Sequence, residues 1–275
     1  MKSEINIQHI VSLEHKGLEP YRTLRRPLEH IKQGIFVAEG EKVVRRLLDS
    51  ELQIVSMLMT AEWFEELSRS SNLDSRTPKN SSTIVVAKKG LLESIVGYNL
   101  HQGVMAVAKI PEECSLGEII TSLSEPYLFV ALDDLVNSEN VGIIVRNCAA
   151  FGVQTIIVGE TSSSPYLRRA VRNSMGAVFQ IPVVHVQNLA VALNYLHKMH
   201  KTSIIAADAN SDANIHGAKF SGNICLILGN EDAGISKEVQ AACTERLKIP
   251  MRNGIDSLNV ANASAVFLYE ASRQR

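Results

Sequence analysis

The sequence carries almost no net charge, with 28 Lys and Arg set against 29 Asp and Glu. That balance excludes indiscriminate, charge-driven attachment to nucleic acid, while leaving room for a local basic face. Long apolar runs are missing too: none approaches the roughly 18 residues of a membrane span, and the opening MKSEINIQHI lacks a signal-peptide core. A cytoplasmic protein with no membrane association is expected. Cysteine is scarce, and Cys114, Cys148, Cys225 and Cys243 lie far apart without a C-x-x-C pair, which argues against disulfides and zinc. Cys148 and Cys225 sit in apolar segments where small buried thiols are the default. No two of the 16 glycines are separated by a single residue, so the dinucleotide fingerprint G-x-G-x-x-G is absent. The P-loop, the G-x-S-x-G elbow and H-E-x-x-H are absent as well. A nucleotide-dependent oxidoreductase is therefore disfavoured.

What is present suits two domains, since 275 residues with 45% hydrophobic content supply cores for both. Residues 16–34 read as a basic helical lead-in interrupted by Pro20 and Pro27. Short strands follow at 36–40, 54–59, 84–87 and 103–110. Helices are expected at 41–50, where Val43, Val44, Leu47 and Leu48 share a face, and at 61–68 and 91–96, with a polar loop over 72–82. Together these make a small α/β domain over 1–112, whose positive charge rests mainly on Arg22, Arg25, Arg26, Lys32, Arg45 and Arg46. A solvated face explains such arginines as readily as RNA contact does.

Residues 113–125 are charged and without long periodicity, so they are expected to be a linker. From Tyr127 the chain restarts as continuous apolar strands, at 127–132, 155–158, 178–184, 203–207, 224–228 and 246–249. Helices near 140–151, 165–175, 188–200 and 236–242 alternate with them, which predicts a mostly parallel α/β domain over 126–275.

Three polar stretches interrupt this apolar pattern. After the first strand comes DDLVNSENVGIIVR, at a strand's carboxyl end, where open α/β sheets place ligands. Arg146 stands among Ile143, Ile144, Val145, Cys148, Ala149 and Ala150 with no acid at i±3 or i±4, so it either takes a counter-ion from elsewhere, another segment's carboxylate or a ligand phosphate, or packs its stem and sends its head to solvent. The second stretch, LILGNEDAGIS, runs from a strand into a turn where Gly229 admits close backbone approach and Glu231 could pair with Arg146. The third, IPMRNGIDSLNVANASAVFLYE, closes a strand at Ile249 and Pro250. Ser257 is placed to cap a helix running to about Ser272, whose apolar residues fill nearly its whole circumference. Asn259 and Asn262 at its start need partners if buried. No histidine occurs in the three stretches, which weakens a Ser-His-Asp or Cys-His mechanism.

In order, NSENVGIIVRNCAAFGV, LILGNEDAG and IPMRNGIDSLNVANASAVFLYEA resemble the motifs of the SpoU (TrmH) family of RNA ribose 2′-O-methyltransferases in the SPOUT superfamily. YLRRAVRNSMGAVFQIPV is similar to the family's segment between the first two motifs. FVAEGEKVVRRLL and HQGVMAV resemble the substrate-binding domain that often precedes the catalytic one. Departures are Ser138-Glu139, where a proline commonly follows the asparagine, and Asn262-Ala263-Ser264 after SLNV. The resemblance implies a SPOUT fold with a C-terminal trefoil knot, S-adenosylmethionine as methyl donor, a homodimer through the C-terminal domain, and no metal. It places the cofactor at Gly229, Ile249, Leu258 and Asn259, and the chemistry at Arg146, Asn140, Glu231, Ser257 and Asn259. The N-terminal arginines Arg22, Arg25, Arg26, Arg45 and Arg46 become candidates for RNA contact, with ribosomal RNA favoured over transfer RNA by analogy with domains that recognise structured RNA. A fold-retaining, non-catalytic RNA-binding or ribosome-assembly protein is the competing reading.

Overall fold

A computed structural model describes residues 6–12, 18–69, 83–97 and 103–275. The chain divides into two compact units, Met1–Pro111 with Tyr166–Phe179, and Glu112–Pro165 with Gln180–Arg275.

The first unit contains strands β1 (Asn6–His9), β2 (Ile35–Glu39), β3 (Ile54–Met59), β4 (Thr83–Val86) and β5 (Val104–Lys109), ordered β1-β4-β3-β5-β2. β4 is parallel to β1 and β3, whereas β5 is antiparallel to β3 and β2. Met105 through Ala108 are all buried, because helices cover both faces and leave no solvated side to alternate toward. Those helices are α1 (Glu19–Arg22), α2 (Pro27–Lys32), α3 (Glu41–Leu48), α4 (Ala61–Arg69) and α5 (Lys89–Val96). The basic lead-in becomes two helices because Pro20 and Pro27 each occupy a first turn, where the missing N–H costs nothing. α3 buries Val43, Val44, Leu47 and Leu48 as the spacing predicts. The polar loop expected at 72–82 and the first residues of HQGVMAV lie outside the described residues.

Tyr166–Phe179 is the main departure from the expected layout, which kept this segment with the C-terminal domain. Its helix Arg168–Asn173 belongs to the first unit. Phe36 of β2 lies between Tyr166 and Phe179, with ring centroids at 5.5 and 5.4 Å. Arg168 Nη1 bonds Glu39 Oε2 at 2.7 Å, both side chains being largely shielded, and Arg46 Nη1 donates to the Met175 carbonyl at 2.6 Å. The strand expected over 178–184 is accordingly replaced by a 3₁₀ turn, Ala177–Phe179, and a later three-residue strand. Phe179 packs on Phe36, and Pro182 cannot donate to a ladder.

The second unit is one six-stranded parallel sheet. β6 (Leu128–Leu132), β7 (Thr155–Val158), β8 (Val183–His185), β9 (Ser203–Ala207), β10 (Ile224–Leu228) and β11 (Glu245–Leu247) take the order β11-β9-β10-β6-β7-β8. Every pairing is parallel. This is the α/β architecture that the alternation of apolar strands and helices predicts. Its helices are α6 (Leu116–Ser122), α7 (Ser138–Ala150), α8 (Leu189–His200), α9 (Lys237–Ala242) and α10 (Val260–Arg273). The expectation of a linker over 113–125 is corrected by α6. Ser115 and Glu118 form a capping box, and Leu116, Ile119 and Ile120 join a core with Phe129, Leu193 and Ile227. Cys148 and Cys225 are fully buried, and desolvation pushes both thiols far above their ordinary range. Among the described residues no helix is long and apolar enough to cross a membrane.

Candidate active site

β6 and β10 are neighbours in register, Leu132 opposite Leu228, so the loops that follow them start side by side at the carboxyl edge of the sheet. Two residues that sequence reasoning did not single out stitch these loops together. Asp133 Oδ2 accepts the Ser236 N–H at 2.7 Å. Asn230 Nδ2 donates to Asp134 O at 2.9 Å and to Asp134 Oδ2 at 3.2 Å, while its Oδ1 accepts from the N–H groups of Asp232 and Ala233. The turn is closed by reciprocal backbone bonds between Asn230 and Gly234, at 2.9 and 3.0 Å. The available signal was an Asn directly after the Gly that follows a strand, a residue type that bonds its own turn. Asn230→Ala removes all four side-chain bonds, so it should lower stability by about 2–3 kcal/mol. Urea denaturation of wild type and variant checks this, and an unchanged midpoint would rule out the stitching role.

The third stretch is laid across this edge. α10 starts two residues later than predicted: Asn259, not Ser257, is the N-cap, its Oδ1 accepting the Ala261 N–H at 2.9 Å. Both residue types cap well, but Asn259 has a second use, since its Nδ2 donates to Asn140 Oδ1 at 3.2 Å. Asn140 Nδ2 in turn donates to Glu231 Oε1 at 2.5 Å. The result is a directional chain, Asn259 to Asn140 to Glu231, that joins all three motifs. Asn137 caps α7, bonding the N–H groups of Glu139 and Asn140, so the absence of a proline at 138 leaves that helix start intact. Deeper in, Asn147 Nδ2 donates to Ala261 O and Ser264 Oγ, both at 2.9 Å, which gives buried Ser264 of the divergent NAS segment a partner and clamps α7 to α10.

The expected pairing of Arg146 with Glu231 is corrected, because Glu231 is bonded to Asn140. Six residues along a helix amount to about 240° of rotation and 9 Å of rise, so Arg146 leaves α7 on a different side from Asn140. It lies exposed on α7, and among the described residues it meets no hydrogen-bond or ion-pair partner. The predicted near-complete burial of α10 is corrected too: Val266 and Tyr269 are 38% and 59% exposed.

Between these loops and the turn after β11 lies a cavity of about 400 Å³, within the roughly 300–1,000 Å³ range of small-molecule sites. Gly229, Glu231, Ile249, Ser257, Leu258 and Asn259 line it, alongside apolar Leu228, Leu247 and Phe267. Asn140 reaches it only through Glu231 and Asn259, and Arg146 is not among its lining. The cradle has no room to spare at Gly229. A Cβ there would come within 2.6 Å of the backbone C and O of Gly234.

In the first unit the candidate RNA-contacting arginines divide. Arg45 is committed internally, bonded to Glu41 at 3.2 Å and to Glu66, with its guanidinium 5.2 Å from the Trp63 ring centroid. Arg46 holds the Met175 carbonyl. Arg22, Arg25 and Arg26 are exposed, Arg26 sharing a solvated pair with Glu29 and Arg25 donating weakly to Gly97 O at 3.4 Å.

Residues 127–269, more than half of the chain, match the SpoU rRNA Methylase family. The chain is 29% identical over 240 residues to the 23S rRNA (guanosine-2′-O-)-methyltransferase RlmB of Acinetobacter baylyi, covering 86% of this chain and 96% of that one. It is 32% identical over 193 residues to the RlmB of Vibrio vulnificus, covering 69% and 77% respectively. Among solved structures, the SpoU methyltransferase AviRb from Streptomyces viridochromogenes superposes with a TM-score of 0.80 at 25% identity, over 95% of this chain and 98% of that one. That likeness fits the parallel sheet and the preceding smaller unit, and the motif match runs through all three stretches of the cleft. The chain belongs to the SpoU rRNA methylase family.

Proposed function

We propose that the protein transfers the methyl group of S-adenosylmethionine to a ribose 2′-hydroxyl of ribosomal RNA, in the cytoplasm and without a metal. The observation that carries this reading is the bonded chain from Asn259 through Asn140 to Glu231, which brings three distant motifs to the rim of one cavity. The residues present fit the cofactor. Leu228, Leu247, Ile249 and Phe267 offer an apolar bed for a purine, Gly229 lets backbone approach, and Ser257 and Asn259 supply polar groups at the rim. When bound, the cofactor supplies an electrophilic methyl group on a sulfonium, so no Lewis acid is required. The chain's task is then to hold a hydroxyl in line and manage its proton. With Asn140 occupying one carboxylate oxygen, Glu231 keeps the other for an incoming donor. A guanidinium offers donors only and is a poor base, so Arg146 is assigned to hold a phosphate of the RNA, or the reacting 2′-hydroxyl itself, from outside the cofactor cavity.

Arg22, Arg25 and Arg26 are proposed to contact RNA from the first unit, with Arg45 and Arg46 better assigned to internal structure. We also assign a homodimer formed through the second unit. Its support is the exposure of three large apolar side chains, Ile143 on α7 and Val266 and Tyr269 on α10, 38%, 38% and 59% exposed, on two helices that pack on each other. Sedimentation should return twice the 30.2 kDa chain mass; a monomer at micromolar concentration would rule the dimer out. The activity is tested by incubating the purified protein with methyl-labelled S-adenosylmethionine and either ribosomal or transfer RNA. Alkali-resistant label in ribosomal RNA is expected. Label confined to transfer RNA would overturn the substrate, and binding of RNA without label in either would favour a non-catalytic role.

A further inference from the structure

We propose that Asp232 and Asp256 make the cavity select the cationic methyl donor over its demethylated product; this rests on the cofactor reading above. Every turnover releases one S-adenosylhomocysteine, which has nearly the donor's shape and competes for the same space. The two differ by one methyl and by the sulfonium charge, so charge is the stronger handle for telling them apart. The cavity lining is correspondingly one-sided: Asp208, Glu231, Asp232 and Asp256 face a single base, Lys248.

Two of those acids are already engaged. Asp208 pairs with Arg246 at 3.3 Å and accepts the Asn210 N–H at 2.9 Å. Glu231 is bonded to Asn140. Asp232 and Asp256 have side chains without a partner among the described residues. The backbone of Asp232 is nonetheless held, because its N–H is tied to Asn230 Oδ1 at 2.9 Å inside the closed turn, which keeps its exposed carboxylate at the rim of the cavity. Two uncompensated carboxylates on the wall of a cavity raise the local preference for a cation and leave a neutral thioether unaffected. Demethylation removes that attraction, so the product leaves a site that still fits it by shape.

The test is calorimetric titration of the full-length protein with S-adenosylmethionine and, separately, S-adenosylhomocysteine. Wild type, Asp232→Asn, Asp256→Asn and the double variant are compared, at low and high salt. Each single substitution should weaken donor binding about two- to fivefold, the amount expected from one exposed charge several ångströms away. The double variant should weaken it about tenfold, with product affinity changed less than twofold. Salt should narrow the wild-type ratio, because rim charges are screened. Retained product binding also reports that the variants are folded. An unchanged ratio, or equal loss for both ligands, overturns the proposal while leaving the cofactor reading standing. If wild type binds neither ligand, the cofactor reading fails and this inference with it.

Discussion

Arg146→Ala should reduce methylation by about a hundred- to a thousandfold, the usual loss when one preorganised charged donor is taken from a transition state. S-Adenosylmethionine affinity should stay within a factor of two. The separation of the two effects follows from position. Arg146 is absent from the cavity lining and has no partner among the described residues whose loss would disturb the fold. Its deletion removes a cation proposed to be satisfied by the RNA substrate. Lysine keeps the charge but lacks the planar fork that grips a phosphate or a hydroxyl from two sides, so Arg146→Lys should remain severely impaired. Single-turnover rates and calorimetric Kd values, measured on the same preparations, decide the matter. Near-normal turnover in Arg146→Ala would remove it from the chemistry, and loss of cofactor binding would mean that it supports the cavity instead.

Gly229→Ala is expected to damage both binding and catalysis. The added Cβ would lie 2.6 Å from the Gly234 carbonyl carbon and oxygen, and 2.6 Å from Ile235 Cγ1. Two of the three obstacles are backbone, held by the reciprocal Asn230–Gly234 bonds, so no side-chain rotation relieves the clash. The turn must move, and Glu231 and Asp232 ride on it. Overpacking of this kind costs about 1–3 kcal/mol of stability. A displacement of an ångström at a positioning group costs about a hundredfold in rate. We expect a lower melting temperature, a cofactor Kd raised at least tenfold on that basis, and turnover reduced about a hundredfold. A variant with wild-type Kd and melting temperature would show that the turn is softer than its bonding indicates.

Much of this was readable from residues because burial leaves a strong mark. The strands of the second unit are covered on both faces, so they appear as continuous apolar runs, and the polar stretches punctuating them are the loops at the sheet's carboxyl edge. That Gly229, Glu231, Ile249 and Asn259 would meet around one cavity was legible for that reason. Periodicity, however, fixes that a helix exists and not what it packs against. The helix Arg168–Asn173 was foreseen, but its membership in the first unit depends on Glu39, 129 positions earlier. α6 is a different kind of miss. Its Ser115…Glu118 capping box was on the page, and the high local charge obscured it.

Pairing by charge alone also misled. Arg146 and Glu231 are complementary as formulae, yet the rotation of α7 gives Glu231 to a neutral amide and leaves the cation outward. The choice between Ser257 and Asn259 as cap was beyond local sequence, because it turns on the bond from Asn259 to Asn140, 119 residues away.

The most direct measurement is a map of 2′-O-methylated nucleotides in ribosomal RNA from cells with this protein and from cells lacking it, with the Arg146→Ala variant as complementing control. The account predicts one blocked 2′-hydroxyl that disappears with the protein, returns with wild type and does not return with the variant. An identical methylation map in all of these cells would contradict it.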